Sequence, residues 1–199
     1  MCSTQINPDI FTRILKEELV PAMGCTEPIA LAFAGAKARE VLGTLPDKIV
    51  VEASGSIIKN VKSVVVPNTG NLKGIPAAVS AGVTLGNPDK KLEVLSDIKE
   101  SEIPKISEFL NSAEIEVIHL KSGFNFDIIL TAYKGEDYAK VRITNAHTNI
   151  TLIEKNGKNF LSEKSVAKAT KASPTEAHFR EKLSGNISEM SASMTSALF

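Results

Sequence analysis

IEVIHLKSGFNFDIILTAYKGEDYAKVRITNAHTNITLIEK, Ile115 to Lys155, is the stretch on which the fold turns. It holds four short runs, IEVIHL, FDIILTAY, YAKVRITN and NITLIEK, in which β-branched and aromatic residues alternate with polar ones. SGFN, KGED and the AHT bend separate them with the residue types that close turns. Strands this short and this regularly interrupted predict an antiparallel meander with one buried face. The preceding IPKISEFLNSA, with Pro104 in its first turn, predicts a helix that covers that face.

Further towards the N-terminus the pattern mixes. KIVVEASG from Lys48, the run Val61 to Val66, and Leu92 to Leu95 read as strands. PNTGNLKGIPAAV, between Val66 and Val79, reads as a strand–loop–helix passage. A helix is predicted from Thr26 or Glu27 to about Leu42, with Gly43 as its stop. Its body, IALAFAGAKA, is dense in Ala and Gly, which permits close helix contact and predicts burial. Before it, NPDIFTRILKEELVPAM reads as another helix: Asn7 or Asp9 caps it, and Ile10, Ile14, Leu15 and Leu19 recur at helical spacing. From about Ser162 the composition is helical again, ending in the Ser-, Ala- and Met-rich GNISEMSASMTSALF. The expected class is α+β: N-terminal helices packed on a mainly antiparallel sheet with covering helices, and a helical C-terminal segment. Residues 1–46 form the helical part, 47–160 the α+β domain, and 161–199 the start of a helical region that the chain does not complete. An apolar face left by such a region makes a homo-oligomer, or a complementary C-terminal chain, the expected partner.

Composition narrows the function classes. Lys+Arg and Asp+Glu each number 23, hydrophobic residues make up 43% and charged residues 23%, as in an ordinary globular protein. A formal charge of +0 offers no basic stripe for nucleic acid, and 5% aromatics without Trp offer no base-stacking platform. No apolar run reaches the roughly 18 residues that a membrane span needs, and MCSTQINPD lacks the features of a secretory signal. Two cysteines, Cys2 and Cys25, make no disulfide framework, which favours a reducing cytoplasm.

Three segments carry candidate chemistry. In PAMGCTEPIALA, Pro21 to Ala32, Cys25 stands at a helix start, either as a small buried apolar residue or as a thiol whose pKa the helix N-terminus lowers. Glu27 is either an acid/base group or a partner of the helix dipole. In VVVPNTGNLKGIPAA, Val64 to Ala78, the loop is either a well-capped connection or a carboxylate-binding loop using Asn68, Thr69, Gly70 and Lys73. It is neither a Walker motif nor a dinucleotide fingerprint. In NAHTN, Asn145 to Asn149, His147 is either part of a self-satisfied turn or a general base or substrate contact. His119 and His178 read as structural or solvent-facing. No ligand pair has metal-site spacing.

PAMGCTEPIALA, then VVVPNTGNLKGIPAAVSAGVTLG, then HTNI at His147 to Ile150, resemble in order and separation the L-cysteine desulfidase group of the serine dehydratase α-chain-like superfamily. The likeness extends to about Phe160. It implies β-elimination without pyridoxal phosphate: an aminoacrylate forms from L-cysteine or L-serine and hydrolyses to pyruvate and ammonia, releasing sulfide or water. It further implies a [4Fe–4S] cluster acting as Lewis acid on the leaving group, Cys25 as catalytic base or cluster-associated residue, and Glu27 as its catalytic neighbour. The Asn68–Thr69–Gly70 loop resembles the substrate-binding loop of the serine dehydratases, and with Thr26, Lys73 and His147 it makes up the expected substrate contacts. In the serine dehydratases the loop equivalent to Asn68–Gly70 carries a cysteine that is absent here. Members of the group are longer, with most cluster cysteines in a helical C-terminal half. The expectation is an N-terminal portion of such a lyase, inactive alone and binding no cluster by itself. The alternative is a non-catalytic amino-acid-binding or regulatory module. A third reading, a cluster-independent thiol enzyme, requires Cys25 and His147 within hydrogen-bond reach.

Overall fold

A computed structural model of the chain describes residues 22–161. The helix expected over residues 7–20, Cys2 and the helical segment from Ser162 lie outside the described residues. Helix α1 spans Thr26–Leu42, as its punctuation predicts. Pro28 sits in the first turn, and Gly43 adopts the left-handed conformation (φ 87°) that ends the helix, its N–H donating to Arg39 O at 2.8 Å.

Strand β1 (Lys48–Ala53) follows, then the short helix α2 (Gly55–Val61), helix α3 (Gly74–Leu85), a 3-10 segment at Pro88–Glu93 and helix α4 (Ile103–Ser112). The remaining strands are β2 (Glu114–His119), β3 (Asp127–Lys134), β4 (Asp137–Thr144), β5 (Ile150–Lys155) and β6 (Lys158–Asn159). They form one six-stranded sheet in the order β2-β1-β3-β4-β5-β6. All pairings are antiparallel except that of β1 with β2. The α+β class with a mainly antiparallel sheet is therefore as expected.

The inner face follows the period-2 pattern. Ile49, Val51 and Ala53 of β1, Ile128, Leu130 and Ala132 of β3, and Ala139, Val141 and Ile143 of β4 are fully buried. Helix α1 packs across β3, β4 and β5 and lies tightly against α3. Glycine makes that helix contact possible: a methyl group at Gly82 would collide with the carbonyl oxygen of Ala32, and one at Gly35 would lie 3.0 Å from Val79 O. Arg39 ties the pair at its far end, donating to Thr84 O and Gly86 O at 2.9 and 2.8 Å and so satisfying carbonyls at the end of α3.

Three expectations are corrected. IEVIHL does not enter the meander; as β2 it runs parallel to β1, which separates it from β3. Of the four runs only β3, β4 and β5 form consecutive hairpins, which the two-residue β6 extends. Val61 to Val66 is not a strand of the sheet. Val61 ends α2 inside the core, and the chain beyond closes a small loop through Val66 N–H to Leu72 O (2.9 Å) and Gly74 N–H to Val64 O (3.2 Å). Leu92 to Leu95 lies in the 3-10 segment and the turn after it; Leu92, Val94 and Leu95 are apolar because they plug the core. A short apolar run does not distinguish a buried strand from such a plug.

Candidate functional site

The start of α1 gathers side chains from three distant segments. Gly24, in an open backbone conformation (φ 153°), turns the chain into the helix, and Cys25 occupies the N-cap without a capping side-chain bond. The Cys25 thiol is exposed and donates instead to Glu27 Oε2 at 3.1 Å. The other carboxylate oxygen of Glu27 accepts from Asn60 Nδ2 of α2 at 3.4 Å. Between them, Thr26 Oγ1 shares a 3.0 Å hydrogen bond with Nε2 of His147, which is 121 residues away in sequence. The His147 ring lies edge-on to Phe126, with centroids 4.5 Å apart.

The bend that carries His147 is fixed by its backbone and by Asn149, whose Nδ2 donates to Thr144 O at 2.9 Å. Asn145 takes a left-handed conformation (φ 66°), and Thr144 N–H to Asn149 O (3.1 Å) and Asn149 N–H to Ala146 O (3.1 Å) close the turn. Its own side chains thus do not consume the imidazole. The loop Pro67–Lys73 meets the same place through Pro67, whose Cγ would stand 3.3 Å from a methyl group placed on Gly24.

Protonation states follow from the contacts. Partial burial, and then the bond to and charge of Glu27, push the Cys25 thiol above its ordinary value. The lowering expected from the helix N-terminus does not win, because burial first and the neighbouring carboxylate second both favour the neutral thiol. Glu27 is held below the usual carboxylate range by the thiol bond, helped by Asn60 and by the charge of His147. Burial lowers His147, against a smaller opposing pull from Glu27. At neutral pH the site holds a thiol, a carboxylate and a neutral imidazole. Two proton-carrying groups therefore hang from adjacent positions, Cys25 directly and His147 through Thr26.

Not every expected site residue points into this cluster. Asn68 Nδ2 donates to Leu95 O at 3.0 Å, and the buried Thr69 hydroxyl donates to Val66 O at 2.8 Å, so both side chains hold the loop in shape. Gly70 takes φ 69° at the loop's tip, and Lys73 is exposed at the N-cap of α3. Asn60 and Phe126 were not legible in the sequence: Asn60 lies in a helix too short to show periodicity, and Phe126 in a turn. Cys25 and His147 belong to one cluster through Thr26, without a hydrogen bond to each other.

Cubane clusters are usually held by several thiolates. Among the described residues Cys25 is the one cysteine, its sulfur is engaged with Glu27, and no group of three His, Cys, Asp or Glu side chains is placed to hold a metal. The described residues do not by themselves fit a [4Fe–4S] site. No helix among them is long and apolar enough to cross a membrane.

No protein-family model and no solved structure matches the chain. Curated relatives do. A UPF0597 protein of Desulfitobacterium hafniense is 54% identical over 147 residues, 74% of this chain and 34% of the relative. One of Lachnoclostridium phytofermentans is 50% identical over 144 residues, 72% of this chain and 34% of the relative. One of Treponema denticola is 43% identical over 146 residues, 73% of this chain and 34% of the relative. Over most of its length the chain is thus similar to proteins named UPF0597, and it spans about a third of the length of these relatives.

Proposed function

We propose that the chain supplies the amino-acid-binding and proton-handling wall of a β-eliminating lyase that works without pyridoxal phosphate on L-cysteine or L-serine. The observation that carries this reading is convergence. PAMGCTEPIALA and His147, far apart in sequence, meet at the start of α1, and Pro67 of the Pro67–Lys73 loop lies beside Gly24 there.

The reaction needs a base for the α-proton and a proton source for the products. The neutral imidazole of His147, oriented by Thr26 and Phe126, takes the α-proton; the Cβ–S or Cβ–O bond breaks and the leaving group departs with its electron pair. The Cys25 thiol, kept protonated beside Glu27, returns a proton. Water then hydrolyses the aminoacrylate to pyruvate and ammonia. The first backbone N–H groups of α1 favour the substrate carboxylate. A cluster of the kind the resemblance implies would need more thiolates than Cys2 and Cys25, the two cysteines of this chain.

The test is pyruvate release. The full-length Desulfitobacterium hafniense relative, prepared without oxygen and given iron and sulfide, is expected to form pyruvate from L-cysteine or L-serine. Binding of either amino acid without pyruvate would favour the amino-acid-binding module, and neither binding nor turnover would overturn the proposal.

A further inference from the structure

Asp127, the first residue of β3, is a fully buried carboxylate. Both of its oxygens accept from one side chain of β4: Arg142 donates from Nε to Oδ1 at 3.0 Å and from Nη2 to Oδ2 at 2.8 Å. Glu52 of β1 stands in the same cross-strand row as Arg142, with Ile129 between them, and its charge acts on the guanidinium as well. A buried ion pair contributes little net stability, because taking two charges out of water offsets much of their attraction. Two parallel hydrogen bonds do, however, fix position.

What they fix lies next to the candidate site. Phe126, the neighbour of Asp127 in sequence, sets its ring against the His147 imidazole. The Phe126 carbonyl accepts from Asn145 N–H at 3.0 Å, at the left-handed residue where the bend carrying His147 begins. From the other side Ser54, just before α2, donates its hydroxyl to Asn125 O at 2.7 Å and its N–H to Asp127 O at 2.9 Å. Residues 125–127 are thus bolted to α2, to β4 and to the bend at once.

We propose that Asp127 and Arg142 are positioning residues for His147. Their buried fork sets the place of Phe126, and through it the orientation of the imidazole at the start of α1. The pair's purpose rests on the reading of His147 as the base, whereas its effect on the imidazole needs no substrate. Failure of the pyruvate assay and failure of the lock are therefore told apart.

The test is the imidazole NMR signal of His147 in the full chain, assigned with His147→Gln. Phe126→Leu removes the ring and is expected to move the His147 Cε1–H resonance. Arg142→Lys keeps the charge but loses the fork; it is expected to move the resonance in the same direction and to shift the imidazole titration. Glu52→Gln removes a charge beside Arg142 but none of these bonds, and is expected to leave both readings unchanged. Glu27, whose charge also acts on His147, is retained throughout. A parental His147 signal in Phe126→Leu or in a folded Arg142→Lys would overturn the proposal. So would an equal change in Glu52→Gln, since charge rather than placement would then be at work. Should Arg142→Lys not fold, Asp127→Val combined with Arg142→Met decides. With no charge left buried alone it is expected to fold and to move the His147 signal, and a parental signal there would equally overturn the proposal.

Discussion

At the scale of single residues, the cluster at the start of α1 is governed by burial and by which neighbour lies nearest. Cys25 has a helix N-terminus beneath it, but partial burial and then a carboxylate 3.1 Å away raise its thiol above the ordinary value. Glu27→Gln removes that charge while keeping an acceptor. The expected outcome is a Cys25 thiol that titrates at lower pH, read from the pH profile of its alkylation rate. An unchanged profile would show that burial alone sets it. His147 gives a second prediction. Its folded pKa lies below the ordinary imidazole value of 6.5, so between those two values the unfolded chain binds the extra proton and the folded chain does not. Stability from this group is therefore complete above about pH 6.5 and falls as pH drops through that window. Glu27, lowered from 4.5, contributes its loss only at more acid pH. Melting temperatures of the parent and of His147→Gln are expected to differ in slope below about pH 6.5 and to run parallel above it.

At the scale of elements, α1 and α3 are pressed together more closely than side chains would allow. The Gly82 contact with the Ala32 carbonyl leaves no room for a methyl group. Gly82→Ala is expected to cost about 3 kcal/mol or more, because two helices would have to move apart within a close-packed core. Gly43→Ala serves as the contrast. Nothing lies within 4 Å of a methyl group there, and its φ of 87° is the only obstacle, so a cost of about 1–2 kcal/mol is expected. Denaturant unfolding of the two variants checks the order. Similar losses would mean that the helices can separate cheaply. The sequence announced both ends of α1, since Thr-Glu-Pro and Gly43 are local punctuation. It announced β3, β4 and β5 through alternation and turns. It did not announce that β2 leaves the meander, because the β1–β2 pairing joins segments 66 residues apart and no local pattern records that choice.

At the scale of the whole molecule, one face of a six-stranded sheet carries α1, and the N-terminal end of α1 is where the Cys25–Glu27 segment meets His147, with Pro67 beside Gly24. Part of this was legible beforehand. Cys25, Glu27 and His147 stand out because Cys, Glu and His are chemically distinctive residues next to turn or helix-start signals. The lowered pKa offered for Cys25 is reversed by burial and by the Cys25–Glu27 bond, both matters of side-chain placement that spacing does not fix. Asn68 and Thr69 read as ligand contacts from their residue types, yet their side chains are engaged by Leu95 and Val66 carbonyls. What remains of that loop for a ligand is its backbone at Gly70 and the Lys73 ammonium. The most direct test of a shared wall is therefore a backbone-amide titration of the full chain, labelled with 15N, against L-serine and L-cysteine. Saturable shifts at millimolar ligand are expected at Gly24 to Glu27, at Thr69 to Lys73 and at His147 together, with glucose giving none. No shift at any of these amides, or shifts confined to a different face of the molecule, would contradict an amino-acid site at the start of α1.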